Sequence, residues 1–92
     1  MIRAFRCPET KAVFEGRGSR KFRNIESAAK RRLDVLHAAV SLTGLAAIRS
    51  NHLEALRGNR KGQHSIRVNL QWRICFAWKD GHAWNVEMVD YH

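Results

Sequence analysis

Ninety-two residues with 17 Lys plus Arg against 8 Asp plus Glu, a formal charge of +9, leave room for one small domain, residues 1–92, with a strongly basic surface. A hydrophobic fraction of 45% is that of a packed core and excludes a charged disordered tail. No apolar run approaches the ~18 to 20 residues of a membrane span and MIRAFRCPET lacks the apolar stretch of a signal peptide, so a soluble, cytoplasmic protein without membrane contact is expected.

Along the chain, Ile2 to Arg6 is a short apolar opening suited to an edge strand. Pro8 and the run Glu9 to Glu15 suit a brief helix, with proline in its first turn and Gly16 behind it. The basic, glycine-containing stretch Gly16 to Arg23 reads as a loop. Asn24 is a good N-cap, and Ile25, Ala29, Leu33, Leu36 and Val40 follow at the spacing of an amphipathic helix of about four turns. Lys30, Arg31 and Arg32 fall away from most of that stripe and read as a solvated face. Ser41 to His52 is a connection without a clear period. Cys7 and Cys75 are isolated, with no CxxC pair or histidines at metal-ligand spacing, and read as reduced thiols in or near the core.

From Leu53 onward the period is two. Ile66, Val68 and Leu70, then Trp72, Ile74, Phe76 and Trp78, then Trp84, Val86 and Met88 all carry even numbers. Three antiparallel strands with one apolar face follow, and Leu53 to Leu56 is a candidate fourth. Cross-strand partners must share a face, which restricts the turns. A three-residue loop Asn69-Leu70-Gln71 pairs Val68 with Trp72 and sets Arg67 across from Arg73. A three-residue loop Lys79-Asp80-Gly81 pairs Phe76 with Trp84 and Ile74 with Val86, and puts Glu87 opposite Arg73. The two-residue alternative, Asp80-Gly81, pairs Trp78 with Ala83 and leaves Asn85 opposite Phe76, so the longer loop is preferred. Facing arginines repel by some tenths of a kcal/mol. One reading has Glu87 holding one of them while the other awaits a phosphate; a plain surface Arg-Glu-Arg row is as good.

A charge of +9 is self-repelling and is relieved by a polyanion or an acidic protein, with nucleic acid ahead of an anionic membrane. Beyond composition, the run LEALRGNRKGQHSIRVNLQWRICFAW from Leu53 to Trp78, the opening MIRAFRC and the closing NVEMVDYH resemble the HigB branch of the RelE superfamily, the toxin halves of bacterial type II toxin-antitoxin pairs. The resemblance covers essentially the full length. It implies an α+β, microbial-RNase-like (RelE) fold, with N-terminal helices packed on a small, mainly antiparallel twisted sheet. It also implies ribosome-dependent cleavage of translated mRNA without metal or cofactor. The partners it implies are the ribosome with its mRNA and an acidic, helix-turn-helix antitoxin of the HigA type, through which DNA would be met. Carried over by position, the catalytic candidates are Arg57, Arg73, Tyr91 and His92, and the RNA-binding candidates are Arg60, Lys61 and Arg67. Glu54 stands where relatives can carry a histidine, and its part in catalysis is open.

Metal-free RNA cleavage requires a base for the 2′-OH, stabilisation of a phosphorane and an acid for the departing 5′-oxygen. Guanidinium offers phosphate a bidentate fork, which suits Arg57 and Arg73. His92 suits the acid, since the terminal carboxylate beside it favours the imidazolium. Glu54 or Tyr91 is then the proton acceptor. His37, His52, His64 and His82 lack ligand spacing and read as surface or packed residues. Trp72, Trp78 and Trp84 could stack bases, but their parity assigns them to the core. Two other function classes compete: a non-catalytic basic RNA- or DNA-binding module, and a corepressor that has lost cutting power.

Overall fold

The structure, a computed structural model, describes residues 1–90. Tyr91 and His92 lie outside the described residues. The chain opens with an extended segment and then helix α1, Pro8–Phe14, which Pro8 starts and Gly16, at φ +81°, follows. Thr10, Ala12 and Val13 face inward. The Thr10 hydroxyl accepts a hydrogen bond from the Met88 backbone N–H at 3.1 Å, which ties α1 to the last strand.

Helix α2 spans Glu26–Ala38, and Ala29, Leu33 and Leu36 are fully buried along its stripe. Two expectations fail at its ends. Asn24 is not its N-cap: it sits inside a 3-10 turn, Arg23–Ile25, that precedes the helix. The buried ring of Phe22 anchors that turn, and the Ile25 N–H bonds the Phe22 carbonyl at 3.0 Å, so backbone does the work of a side-chain cap. Val40 is 84% exposed, because the helix stops at Ala38 and Ala39 turns to extended backbone. The unassigned connection is also ordered: helix α3, Leu42–Ala47, is capped by the Ser41 hydroxyl on the Gly44 N–H, and a 3-10 turn covers Arg49–Asn51.

Strands β1 (Glu54–Ala55), β2 (Gln63–Arg67), β3 (Trp72–Lys79) and β4 (His82–Asp90) form one antiparallel sheet in sequence order. The opening segment lies parallel along the edge of β4 through two isolated bridges, Ile2 to Ala83 and Phe5 to Val86, so the expected edge strand is reduced to two points of pairing. One face of the sheet packs Ile66, Ile74, Phe76, Ala83, Val86 and Met88 against Val13, Phe22, Leu33, Leu36 and Leu45. At ~25 cal/mol per Å2, burying each large aliphatic side chain contributes roughly 1.5 to 3 kcal/mol before entropy is charged.

At the β2–β3 turn Val68 and Trp72 close the loop and Arg67 faces Arg73, as expected, but Leu70 rides on the turn tip, 86% exposed. The β3–β4 turn is the two-residue Asp80-Gly81, with φ of 56° and 78°. Both signs are positive, as a tight hairpin of that twist demands. Trp78 therefore pairs with Ala83, and Ile74 pairs with Met88 and not with Val86. The parity conflict disappears because β4 carries a bulge: Asn85, at φ 55°, adds one residue between the Cys75–Glu87 and Ala77–Trp84 pairs. Two further expectations change with it. Glu87 stands opposite Cys75, and Val89, not Glu87, stands opposite Arg73. Trp84 leaves the core and joins the other face.

Candidate nucleic-acid interface

The sheet's second face is built from three cross-strand rows fixed by the register. Arg67, Arg73 and Val89 form one; Glu54, Ser65, Cys75 and Glu87 the next; Gln63, Ala77 and Trp84 the third. The segment from Arg49 to Arg60 borders this face at its β2 edge, where Glu54–Ala55 pairs with β2, and from it the His52 carbonyl and the Arg60 side chain reach over the face to Arg73 and Glu87. Its left-handed corner at His52, φ 45°, turns the chain into β1, and a 3-10 turn at Gly58–Arg60 leads to β2.

Arg73 lies under this partial cover, 5% exposed. Its Nε donates to the Ser65 hydroxyl at 2.7 Å, its Nη2 to the His52 carbonyl at 2.5 Å and the Ser65 carbonyl at 3.3 Å, and its Nη1 meets Glu54 Oε1 at 3.3 Å. Arg67 turns to His52 Nε2, 3.3 Å away. The facing arginines thus part to different acceptors on the cover, and Glu87 serves neither. Glu87 instead holds Arg60 at 3.1 Å and Arg6 at 3.7 Å, so Arg60 reaches across from the β1–β2 connection to β4, bonding Gln63 on the way. Glu54 keeps its carboxylate half in solvent while anchored from below by Arg73.

Beside Glu54 an open cleft is lined by Ala55, Leu56, Arg57 and Arg60. The Arg57 side chain makes no hydrogen bond or ion pair with any described residue, and both it and Lys61 are exposed. The structure therefore gathers Glu54, Arg57 and Arg60 at one cleft, Arg73 beneath it and Arg67 one row away. Tyr91 and His92 follow directly on β4 in sequence.

Beneath the arginines, burial pushes the Cys75 thiol upward; Arg60 opposes that shift, Glu87 adds to it and Arg73 opposes it again. Such a thiol is a packing residue at neutral pH. Among the described residues no three His, Cys, Asp or Glu side chains gather as metal ligands would. No helix among them is long and apolar enough to cross a membrane.

The sequence reading did not find Ser65, Asn51 or Arg6. Ser65 could have been found, since the expected register sets it in the row beside Arg73. Asn51 gave no signal: fully buried, it donates to the Leu45 carbonyl at 3.0 Å and accepts from Arg32 at 2.7 Å, which draws Arg32 off the solvated face. Arg6 reaches Glu87 through the parallel docking of the opening segment.

The fold resembles two solved structures. YoeB in the YoeB–YefM toxin-antitoxin complex from Staphylococcus aureus superposes with a TM-score of 0.59 at 17% identity, covering 100% of this chain and 98% of that one. YafQ from E. coli gives 0.59 at 10% identity over 98% and 93%. In sequence, the chain is 47% identical over 62 residues to Toxin HigB-1 of Vibrio cholerae, 67% of this chain and 65% of the relative. It is 42% identical over 40 residues to Endoribonuclease HigB of Proteus vulgaris, 44% of each. The matches thus span less than two thirds of either relative's length. The model of the HigB-like toxin family, described as RelE-like toxins HigB of type II toxin-antitoxin systems, matches residues 8–92, and the chain belongs to that family.

Proposed function

We propose that this chain is the toxin of a type II toxin-antitoxin pair and an endoribonuclease that cuts translated mRNA on the ribosome without a metal ion, held in check by a HigA-type antitoxin. The observation that carries this reading is the cleft in which a half-exposed carboxylate, Glu54, stands beside the guanidinium of Arg57, which bonds no described residue, and that of Arg60. The endoribonuclease name of the Proteus vulgaris relative supports the reaction class.

In this reading Arg57 binds the scissile phosphate and stabilises the phosphorane, a task worth on the order of 10² to 10³ in rate for one well-aimed donor. Arg60, Lys61 and Arg67 hold the flanking backbone. Arg73 acts from beneath as a positioning residue: it fixes Glu54 and the His52 corner. Tyr91 and His92 supply the remaining proton chemistry, His92 as the acid at the 5′-oxygen and Tyr91 or Glu54 as the acceptor from the 2′-OH. An acidic antitoxin would relieve the +9 charge when no RNA is bound.

Induction in cells tests the proposal. The wild-type protein arrests growth and produces new 5′ ends in a translated message but not in the same message with its start codon removed. Arg57→Ala and deletion of His92 both grow. Equal arrest by all three would overturn the catalytic assignment and leave a basic RNA-binding module. Protein first stripped of metal with chelator and then freed of the chelator should cut on ribosomes, in ordinary magnesium buffer, as fast as untreated protein; a loss restored by an added transition metal would overturn the metal-free step.

A further inference from the structure

We infer that Trp84 is a stacking platform for an RNA base at the hairpin end of the open sheet face, next to the phosphate-binding cluster. The inference rests on the proposed RNA-binding role of that face and adds to it a contact with the base, which the arginines do not supply. Of the three tryptophans, two are covered by rings: Trp72 meets Phe22 edge-on at 5.3 Å and Trp78 meets Phe76 at 6.3 Å. Both pack against the buried core, and Trp84 does not.

The bulge at Asn85 accounts for this. Without it the alternation would carry Trp84 to the apolar side; with it Trp84 pairs with Ala77 and shares the face of Cys75 and Glu87. Its row is two residues along β3 from the row of Glu87, roughly 7 Å. Glu87 in turn holds Arg60 and Arg6. An open cleft beside the ring is lined by Ala77, Lys79, Asp80 and Asn85. Ala77, the cross-strand neighbour, is too small to cover an indole. The indole N–H donates to the Lys79 carbonyl at 3.1 Å, which fixes the ring's orientation, and the Lys79 side chain is exposed. A partly buried ring oriented by one hydrogen bond and lining an open cleft, on the same face as guanidinium groups, is the combination that single-stranded RNA recognition uses: cations for the backbone and an aromatic plane for a base, tolerant of sequence.

The test compares two polyanions, a 2′-O-methyl RNA oligonucleotide that cannot be cut and inorganic polyphosphate of similar charge, each titrated by fluorescence anisotropy. Trp84→Ala should weaken RNA binding about tenfold and leave polyphosphate binding unchanged, while Trp84→Phe keeps most of the RNA affinity. Unchanged RNA affinity in Trp84→Ala overturns the inference and leaves the toxin reading intact. Equal loss for both polyanions also overturns it, since the effect is then one of charge or folding. Binding of neither polyanion by the unsubstituted protein overturns the inference together with the nucleic-acid role of the face.

Discussion

Arg73 and Arg57 carry the same charge and came from the sequence with the same expected task, yet the structure puts them in opposite situations. Arg73, near the start of β3, is buried among acceptors that include four on three of the described segments. Arg57, in the β1–β2 connection, is exposed beside the cleft with a side chain that bonds no described residue. A guanidinium already saturated by its own chain has little left for phosphate, whereas an unpartnered one has its whole fork to give. In the proposed reading one arginine builds the face and the other uses it.

The largest effect should come from breaking the first half of that comparison. Arg73→Ala removes a buried charge from its partners and leaves the His52 carbonyl and the Ser65 hydroxyl unsatisfied, a loss of about 3 to 5 kcal/mol in urea unfolding. Arg73→Lys should recover only a fraction, because an ammonium cannot span the same fork. A loss under ~0.5 kcal/mol, typical of a surface change, would return Arg73 to the surface role that Arg57 occupies.

Arg57→Ala is the complementary break. Its unfolding midpoint should match that of the wild type, while cleavage on ribosomes falls on the order of 100-fold. Stability and activity losing ground together would dissolve the distinction between the two arginines.

Much of this face was legible in the sequence, and the reasons it was or was not are local. Alternation gave the apolar side at Ile66, Ile74, Phe76, Val86 and Met88, since a one-residue slip would have exposed the whole set. The facing of Arg67 and Arg73 followed from a turn closed by Val68 and Trp72. The same logic erred one hairpin later, because it assumed an unbulged ladder. The left-handed Asn85 inserts a residue that parity counting cannot see, and from it follow the two-residue turn, the true partner of Glu87 and the escape of Trp84. Asn85 is nonetheless a residue type that tolerates this conformation, so the signal was there in weak form. The partition of the arginines was not legible at all. It depends on the carbonyl of His52, a main-chain acceptor brought over the sheet by a corner that no periodicity marks.

That cover has its own anchor, and Asn51 gives the next prediction in size. Its amide is fully buried between the Leu45 carbonyl and Arg32. Asn51→Leu abolishes both bonds and leaves Arg32 without its acceptor, costing about 2 kcal/mol in thermal or urea unfolding. Because His52 is the next residue, RNA cutting should fall along with stability, unlike Arg57→Ala. Full activity in a destabilised Asn51→Leu protein would mean that the corner is set by Arg73 without help from α3.

The smallest effect reports on the cover directly, through the thiol beneath it. Burial raises the Cys75 thiol, with Glu87 adding to the shift and Arg60 and Arg73 opposing it. The folded chain therefore holds the thiol proton more tightly than the unfolded chain does. The stability this contributes is complete below the ordinary thiol value of 9.0 and is lost as pH rises through the higher folded value. Unfolding measured from pH 8 upward should show an alkaline decline that is shallower in Cys75→Ala. In the folded protein a thiol reagent should modify the half-buried Cys7 first and reach Cys75 only on unfolding. Arg73→Lys, which loosens the cover, should bring Cys75 within reach of the reagent under native conditions, and Arg57→Ala should not. Equal protection of Cys75 in both variants would show that the covering segment is held by Arg60 on Glu87 and not by Arg73, shifting the structural half of the comparison from β3 to the β1–β2 connection.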